Sequence, residues 1–310
     1  MAARCEGSRI EVLDRVTLPH SLGFFYTALC QFIGFDDFGE EYKVMGLAPY
    51  GEDKYGDLMR ELVTFDDQNW YRLATGYFGM HEGGESGELD DTRRIVMGRF
   101  YTDKLINALG TPRKRSDPLT QREKDIARST QVRFEEAALH CLTRLQSLVP
   151  TPRLAMAGGC ALNGVANARI HRETQFTQHY LQSAASDDGT CLGAAYWVWH
   201  NVLGRTERFH MQHAFWGPGY SNERMQKVAE DSGFHVTACT TDAELVEVAA
   251  GLIADGLVTG WYQGRSEWGP RALGNRSILA NPAVPTMKGH NQRKNKASRV
   301  IPAICPKCTA

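Results

Sequence analysis

The stretch GWYQGRSEWGPRALGNRSILANP, residues 260–282, gathers Arg265, Arg271 and Arg276 among Gly264, Gly269 and Gly274, with Glu267 between them. Guanidinium groups offer planar paired donors that match phosphate or carboxylate oxygens, and glycines let the main chain come close to a ligand. Pro270 restrains the backbone before Arg271, and Glu267 is placed to hold one arginine by a salt bridge. The pattern suits a grip on a small anion. Arginines that only pair with acids across a domain interface are the other use such a cluster has.

Three more stretches carry groups that do chemistry. In LAMAGGCALNGVAN, residues 154–167, a short apolar run enters Gly158-Gly159 and opens a helix near Cys160, with Asn163 and Asn167 beyond. Such a turn cradles phosphate with main-chain N–H groups, or it needs glycine only for its backbone angles. In SAASDDGTCLGAA, residues 183–195, Asp187 and Asp188 follow a strand end. A carboxylate there ligates a divalent metal or caps the next helix. FGEEYKVMGLAPYG, residues 38–51, sets Glu40, Glu41 and Lys43 beside a flexible loop, as nucleotide contacts or as solvated charges on a surface helix.

Two partial motifs are set aside. His210 and His213 have helical metal-ligand spacing but no third ligand beside them, and they read as ordinary surface residues. Cys305 and Cys308 form a C-x-x-C without a second pair, a weak metal signal.

The elements that must position these groups follow from periodicity and caps. Residues 9–16 read as a strand and residues 22–33 as an apolar helix. Residues 66–118 are polar and irregular, with Gly83-Gly84, acids at Glu88, Asp90 and Asp91, and the basic loop TPRKRSDP, and predict a surface excursion with solvated charges. Thr120 with Glu123 forms a capping box that opens a long helix, with Phe134, Ala138, Cys141, Leu145 and Leu148 on one stripe and Pro150 ending it. Strand 154–157, a helix, strand 178–182 and a small-residue helix then alternate, which predicts an α/β fold with a mostly parallel sheet. Past residue 204 the composition resets into helix 221–233, strand 234–238, helix 241–255 capped by Thr241 and Glu244, and strand 257–262. The spacing thus predicts two domains, 1–204 and 205–310, with the boundary near 204–216.

The totals bound the function. The chain has 310 residues, 42% of them hydrophobic, enough for one large or two ordinary domains. Its 35 basic and 36 acidic residues create no global field that favours nucleic acid or an anionic membrane, so any anion site is local. No apolar run approaches the roughly 18 residues of a membrane span, and the opening lacks the apolar core of a secretion signal. The expectation is a cytoplasmic protein. Cys30, Cys141, Cys160 and Cys191 lie in apolar segments and read as reduced core thiols.

Taken in order, GEEYKVMGLAPYG, MAGGCALNGVANARI, SDDGTCLGAA and GRSEWGPRALGNRSILANP resemble the O-carbamoyltransferase family of the nodulation carbamoyltransferases and the tailoring enzymes of cephamycin and tobramycin biosynthesis. HSLGFFYTALCQFIGF also fits, and the likeness runs from about residue 9 to residue 291. The resemblance implies part of an actin-like, sugar-kinase ATPase domain, related to the tRNA threonylcarbamoyl-transferring proteins. The start of a threonylcarbamoyl-AMP-synthase-like α/β domain follows it. In such proteins the second domain makes a carbamoyl adenylate from carbamoyl phosphate and ATP. The first passes the carbamoyl group to a hydroxyl of a small-molecule acceptor, with a bound divalent metal, iron by resemblance or else magnesium, holding the adenylate. Carried over, Gly158, Gly159 and Asn163 contact nucleotide, Glu40 and Lys43 flank it, and Asp187 ligates the metal. Arg265, Arg271 and Arg276 hold carbamoyl phosphate or the adenylate's phosphate.

The family's H-x-x-x-H motif does not occur in this chain, and its last twenty residues, NQRKNKASRVIPAICPKCTA, do not resemble the family's arginine- and phenylalanine-rich segment. The expectation is an incomplete form that lacks half the ATPase fold, with no turnover by the isolated chain. The alternative is an inactive nucleotide- or phosphate-binding remnant. Unfinished sheet edges are compatible with oligomerisation.

Overall fold

The computed structural model describes residues 1–37, 39–79, 88, 89, 95, 96, 98–284 and 287. The chain divides into two compact units, Met1–Arg205 and Thr206–Ala310.

In the first unit, β1 (Ala2–Glu6) and β2 (Arg9–Asp14) form an antiparallel hairpin, so the strand predicted at 9–16 has a partner that the pattern did not show. Helix α1 (Leu22–Phe32) begins where the Ser21 side chain accepts the Phe24 N–H. A cap of this kind contributes about 1 kcal/mol. The helix buries Phe25, Ala28, Leu29 and Phe32 completely. Opposite it runs α5 (Gln121–Leu148), opened by the Thr120–Glu123 capping box that the sequence predicts. Helices α2 (Tyr42–Leu47) and α3 (Gly56–Leu62) pack on the same long helix. Met59, Leu62 and Ile126 close the core, each side chain contributing about 1.5–3 kcal/mol by leaving water.

The stretch 66–118 is no excursion. It holds the hairpin of β3 (Val63–Asp66) with β4 (Asn69–Leu73), the short pair β5 (Glu88–Leu89) and β6 (Ile95–Val96), and helix α4 (Asp103–Leu109). Leu73, Tyr77, Phe78, Phe100, Leu105 and Leu109 from this stretch sit in the main core. They are spaced too unevenly among polar residues to show a period. Its basic loop is not simply solvated either, because Arg115 pairs with Asp36, Asp37 and Glu40, and Arg113 donates to the Ile33 carbonyl. Gly83, Gly84, Asp90 and Asp91 lie outside the described residues.

The long helix is buried on more than its apolar stripe. Glu123, Asp125, Ser129, Thr130, Gln131, Arg133 and Glu135 are all buried, whereas Leu148 at the end of the predicted stripe is half exposed. After it, β7 (Arg153–Met156) and β8 (Gln178–Leu181) pair in parallel around α6 (Gly164–Glu173), the one parallel pair among the described strands. The mostly parallel sheet predicted from alternation therefore reduces to this βαβ unit; the other described pairs are antiparallel. Helix α7 (Thr190–Trp197) continues into a π-helical turn, Val198–Val202, which ends the regular part of this unit. Cys30 is buried and Cys141 half-buried, but Cys160 and Cys191 are exposed, because both lie on helical turns at the unit's surface rather than in its core.

In the second unit, α8 (Asn222–Asp231) is capped by Ser221, and α9 (Asp242–Ala254) by Thr241, the latter as predicted. Strand β9 (Thr259–Tyr262) pairs antiparallel with β10 (Arg276–Leu279). The strand predicted at 234–238 does not form; no described strand lies beside it to supply ladder bonds, and Phe234 is half exposed.

Candidate functional site

Between β7 and α6 the chain turns at Gly158, whose φ of +98° only glycine adopts without strain. A Cβ there would meet nothing within 4 Å, so the glycine keeps the backbone angle and leaves open space beside it. The Gly158 N–H is tied to the Ala185 carbonyl at 2.6 Å, while the Gly159 and Cys160 N–H groups donate no hydrogen bond among the described residues. These two open donors fit a phosphate oxygen. A short 3-10 turn, Gly159–Leu162, comes first, and α6 itself starts at Gly164 rather than near Cys160.

Asn163 is the cap of that helix, accepting the Ala166 N–H at 3.0 Å. Its side chain faces inward: Nδ2 donates to Gln131 Oε1 at 3.0 Å and Oδ1 accepts from Gln131 Nε2 at 3.1 Å. Asn167 is likewise turned to the main chain, bonding the Ala161 carbonyl at 2.7 Å. Tyr26 donates its hydroxyl to Gln131 Oε1 at 2.6 Å, and burial pushes that hydroxyl's pKa up, which keeps it a donor.

Glu40 is buried and bonded to Lys43, and both its oxygens accept from Arg115, at 2.9 and 3.0 Å. Burial by itself would raise this carboxyl, but the bonds from Lys43 and Arg115 outweigh it and hold its pKa below the ordinary glutamate value. Lys43 also lies over the Phe35 ring, 5.1 Å from its centroid. Glu41 accepts from the Thr27 hydroxyl at 2.7 Å. Glu40 and Lys43 thus form one ion-pair cluster with Arg115.

Asp187 opens the 3-10 turn Asp187–Gly189 just after β8, and both Asp187 and Asp188 are exposed. Gly158 N–H and Gly159 meet this second loop through Ala185 and Ser186, so the glycine turn and the acidic turn are neighbours. Among the described residues no three His, Cys, Asp or Glu side chains gather as a metal-binding group. Asp187 supplies one exposed carboxylate, and a divalent metal does not fit as a centre built from the described residues alone.

In the second unit two of the three arginines converge. Arg265 donates through Nε to the Gly217 carbonyl at 2.8 Å and through Nη2 to the Trp216 carbonyl at 2.9 Å. Arg276 donates to the carbonyls of Gln263, Gly264, Asn275 and Pro218, and its guanidinium lies 3.4 Å from the centroid of the Tyr262 ring. Both guanidinium groups therefore reach the same 216–218 segment. Arg271 is half-buried on the connecting loop. Glu267 serves the main chain: its Oε1 accepts the N–H groups of Leu273, Asn275 and Arg276 at 2.9, 2.8 and 3.1 Å, closing the 267–276 loop on itself. Burial raises the Glu267 carboxyl, and these N–H bonds more than reverse it, leaving the pKa below the ordinary value.

Sequence reasoning missed Gln131, Arg115 and Trp216, which hold the predicted groups from 32 to 75 positions away. A glutamine inside an amphipathic helix carries no signal of its partner. His213 sits on no helix and stacks against Phe215 and Trp216, while Cys305 and Cys308 lie outside the described residues. No described helix is long and apolar enough to cross a membrane.

A mixed helix-and-sheet protein with a glycine turn beside an acidic turn in one unit, and an arginine loop in the other, is the class these features define. The chain belongs to the carbamoyltransferase family: the model of the carbamoyltransferase N-terminus matches residues 5–196 and that of the C-terminus residues 250–305. The second match runs past residue 291, into the tail expected to depart from the family. An uncharacterized protein of Synechocystis sp. is 36% identical over 98% of this chain and 48% of its own length. Nodulation protein NolNO of Sinorhizobium fredii is 35% identical over 91% of this chain and 38% of its own. Nodulation protein NolO of Bradyrhizobium diazoefficiens is 34% identical over 89% and 46% respectively. The chain thus spans about half the length, or less, of these relatives.

Proposed function

We propose that the protein works in carbamoyl transfer: the carbamoyl group of carbamoyl phosphate, activated with ATP as a carbamoyl adenylate, passes to a hydroxyl of a small-molecule acceptor. Family membership at both ends of the chain carries this reading. The first unit is read as part of an actin-like ATPase domain, the second as the start of a threonylcarbamoyl-AMP-synthase-like domain.

The main-chain donors of Gly159 and Cys160 bind nucleotide phosphate, with Glu40 and Lys43 flanking the site. Arg265, Arg271 and Arg276 bind the carbamoyl donor and stabilise charge as its phosphate leaves. For Arg265 and Arg276 this means exchanging carbonyl oxygens of 216–218 and 263–264 for phosphate oxygens, a stronger, charge-assisted bond. Asp187 would supply one carboxylate to a metal whose remaining ligands the described residues do not provide. Water releases inorganic phosphate from carbamoyl phosphate, and the carbamate oxygen bonds to the α-phosphorus of ATP as pyrophosphate leaves. The acceptor oxygen then bonds to the carbamoyl carbon as AMP departs, its proton passing to solvent.

The experiment is calorimetric titration of the chain with ATP and, separately, with carbamoyl phosphate. Binding of both is expected, with Arg271→Ala weakening only carbamoyl phosphate, by about tenfold, the scale of one charge-assisted bond. Undiminished carbamoyl phosphate binding after removal of all three arginines sinks the donor assignment.

A further inference from the structure

We propose that Gln131 and Glu135 are positioning residues that set the conformation of the 158–163 turn, and through it nucleotide affinity. This rests on the reading of that turn as the nucleotide site. Both residues lie one helical turn apart on α5, and both are more than nine-tenths buried. Gln131 uses its whole amide. Oε1 accepts from Tyr26 on α1 and from Asn163; Nε2 donates to Asn163 Oδ1 and, at 2.7 Å, to Glu135 Oε1. The other Glu135 oxygen accepts from Arg169 on α6 at 2.7 Å.

Three helices therefore meet at one polar knot, and α6 is held at both ends of its first half: Asn163 at the cap and Arg169 six residues on. Asn167 also bonds the Ala161 carbonyl of the turn, at 2.7 Å, but it lies on α6 itself and ties the turn to no second helix. Cys160 is exposed, Gly158 and Gly159 carry no side chain, and the Gly158 N–H bond to Ala185 fixes only one end. A buried network restricts its members to one arrangement because any other leaves polar groups unpaired. The geometry of the open N–H groups is thus set from α5, a helix other than the one the turn opens.

The test uses the full chain. Gln131→Met keeps the side-chain length and removes every amide bond; Leu105→Ala, a core change on α4, matches it for general destabilisation. Amide hydrogen exchange and ATP titration are read on wild type and both variants. The expected result is exchange at residues 158–166 at least tenfold faster in Gln131→Met than in Leu105→Ala, with ATP affinity down about tenfold in the former only. Equal exchange in the two variants overturns the positioning role. Failure of the wild type to bind ATP overturns the nucleotide reading, and the exchange comparison still decides whether Gln131 positions the turn.

Discussion

The side chains of Asn163 and Gln131 exchange two hydrogen bonds, at 3.0 and 3.1 Å, across the boundary between the glycine turn and the long helix. A residue read as a nucleotide contact is thereby also the clasp that joins α6 to α5. Its capping bond to Ala166 uses the same oxygen that receives the Gln131 amide.

Replacing Asn163 by alanine removes a helix cap and two of the four hydrogen bonds of buried Gln131, which keeps Tyr26 and Glu135. The cap contributes about 1 kcal/mol and each lost hydrogen bond about 0.5–1.5 kcal/mol. Urea unfolding should therefore show a loss of about 2 kcal/mol or more, and Asn163→Asp, which keeps the accepting oxygen, a smaller loss. Equal stability of Asn163→Ala and wild type would refute the clasp.

Asp125 makes the acid limb of stability testable. Burial raises its pKa, but the Glu52 N–H at 2.9 Å, Gln121 at 2.8 Å and Lys54 at 3.0 Å outweigh that and leave it below the ordinary aspartate value. A carboxyl depressed in the folded state stabilises fully above its unfolded pKa of about 3.9, and the contribution is lost as pH falls through the folded value. Asp125→Asn should be less stable than wild type at pH 7 and the difference should shrink as pH drops below about 4. Parallel curves down to the acid transition would remove Asp125 from the cause.

Gly189 tests the acidic turn. A Cβ at this position would lie 2.0 Å from the Ala184 carbonyl oxygen, a main-chain atom that cannot step aside alone. Gly189→Ala should cost about 1–3 kcal/mol by overpacking and displace the Asp187–Gly189 turn from Ala184. Thermal unfolding measures the cost, and an unchanged midpoint contradicts the close approach.

Glu267 is expected to hold the arginine loop by charge as well as shape. Glu267→Ala leaves three N–H groups without their acceptor, and exchange at Leu273, Asn275 and Arg276 should rise more than tenfold, while Glu267→Gln, which retains an oxygen, should lie between. Wild-type protection in Glu267→Ala would show that the loop closes without it.

Much of the frame is legible in the chain because it is written locally. Ser21, Thr120, Ser221 and Thr241 mark helix starts by capping within three residues, and all four helices begin there. The strand–glycine–helix order at 153–173 is equally local. The stretch 66–118 is not, since its core residues lack a period and its strands turn back on one another instead of alternating with helices.

What the sequence determined alone is the inventory: capped helices, a glycine turn, a run of arginines and the motifs of one family, all set by neighbours a few positions apart. Only the tertiary structure decided which way the chemical groups face. It turned Asn163 inward to Gln131, closed Glu267 on its own loop, and set Arg265 and Arg276 on carbonyls 48 and 58 positions away. Those choices follow from the cost of leaving a buried donor or acceptor unpaired, and the partner that avoids the cost is chosen by proximity in space, which no local pattern encodes.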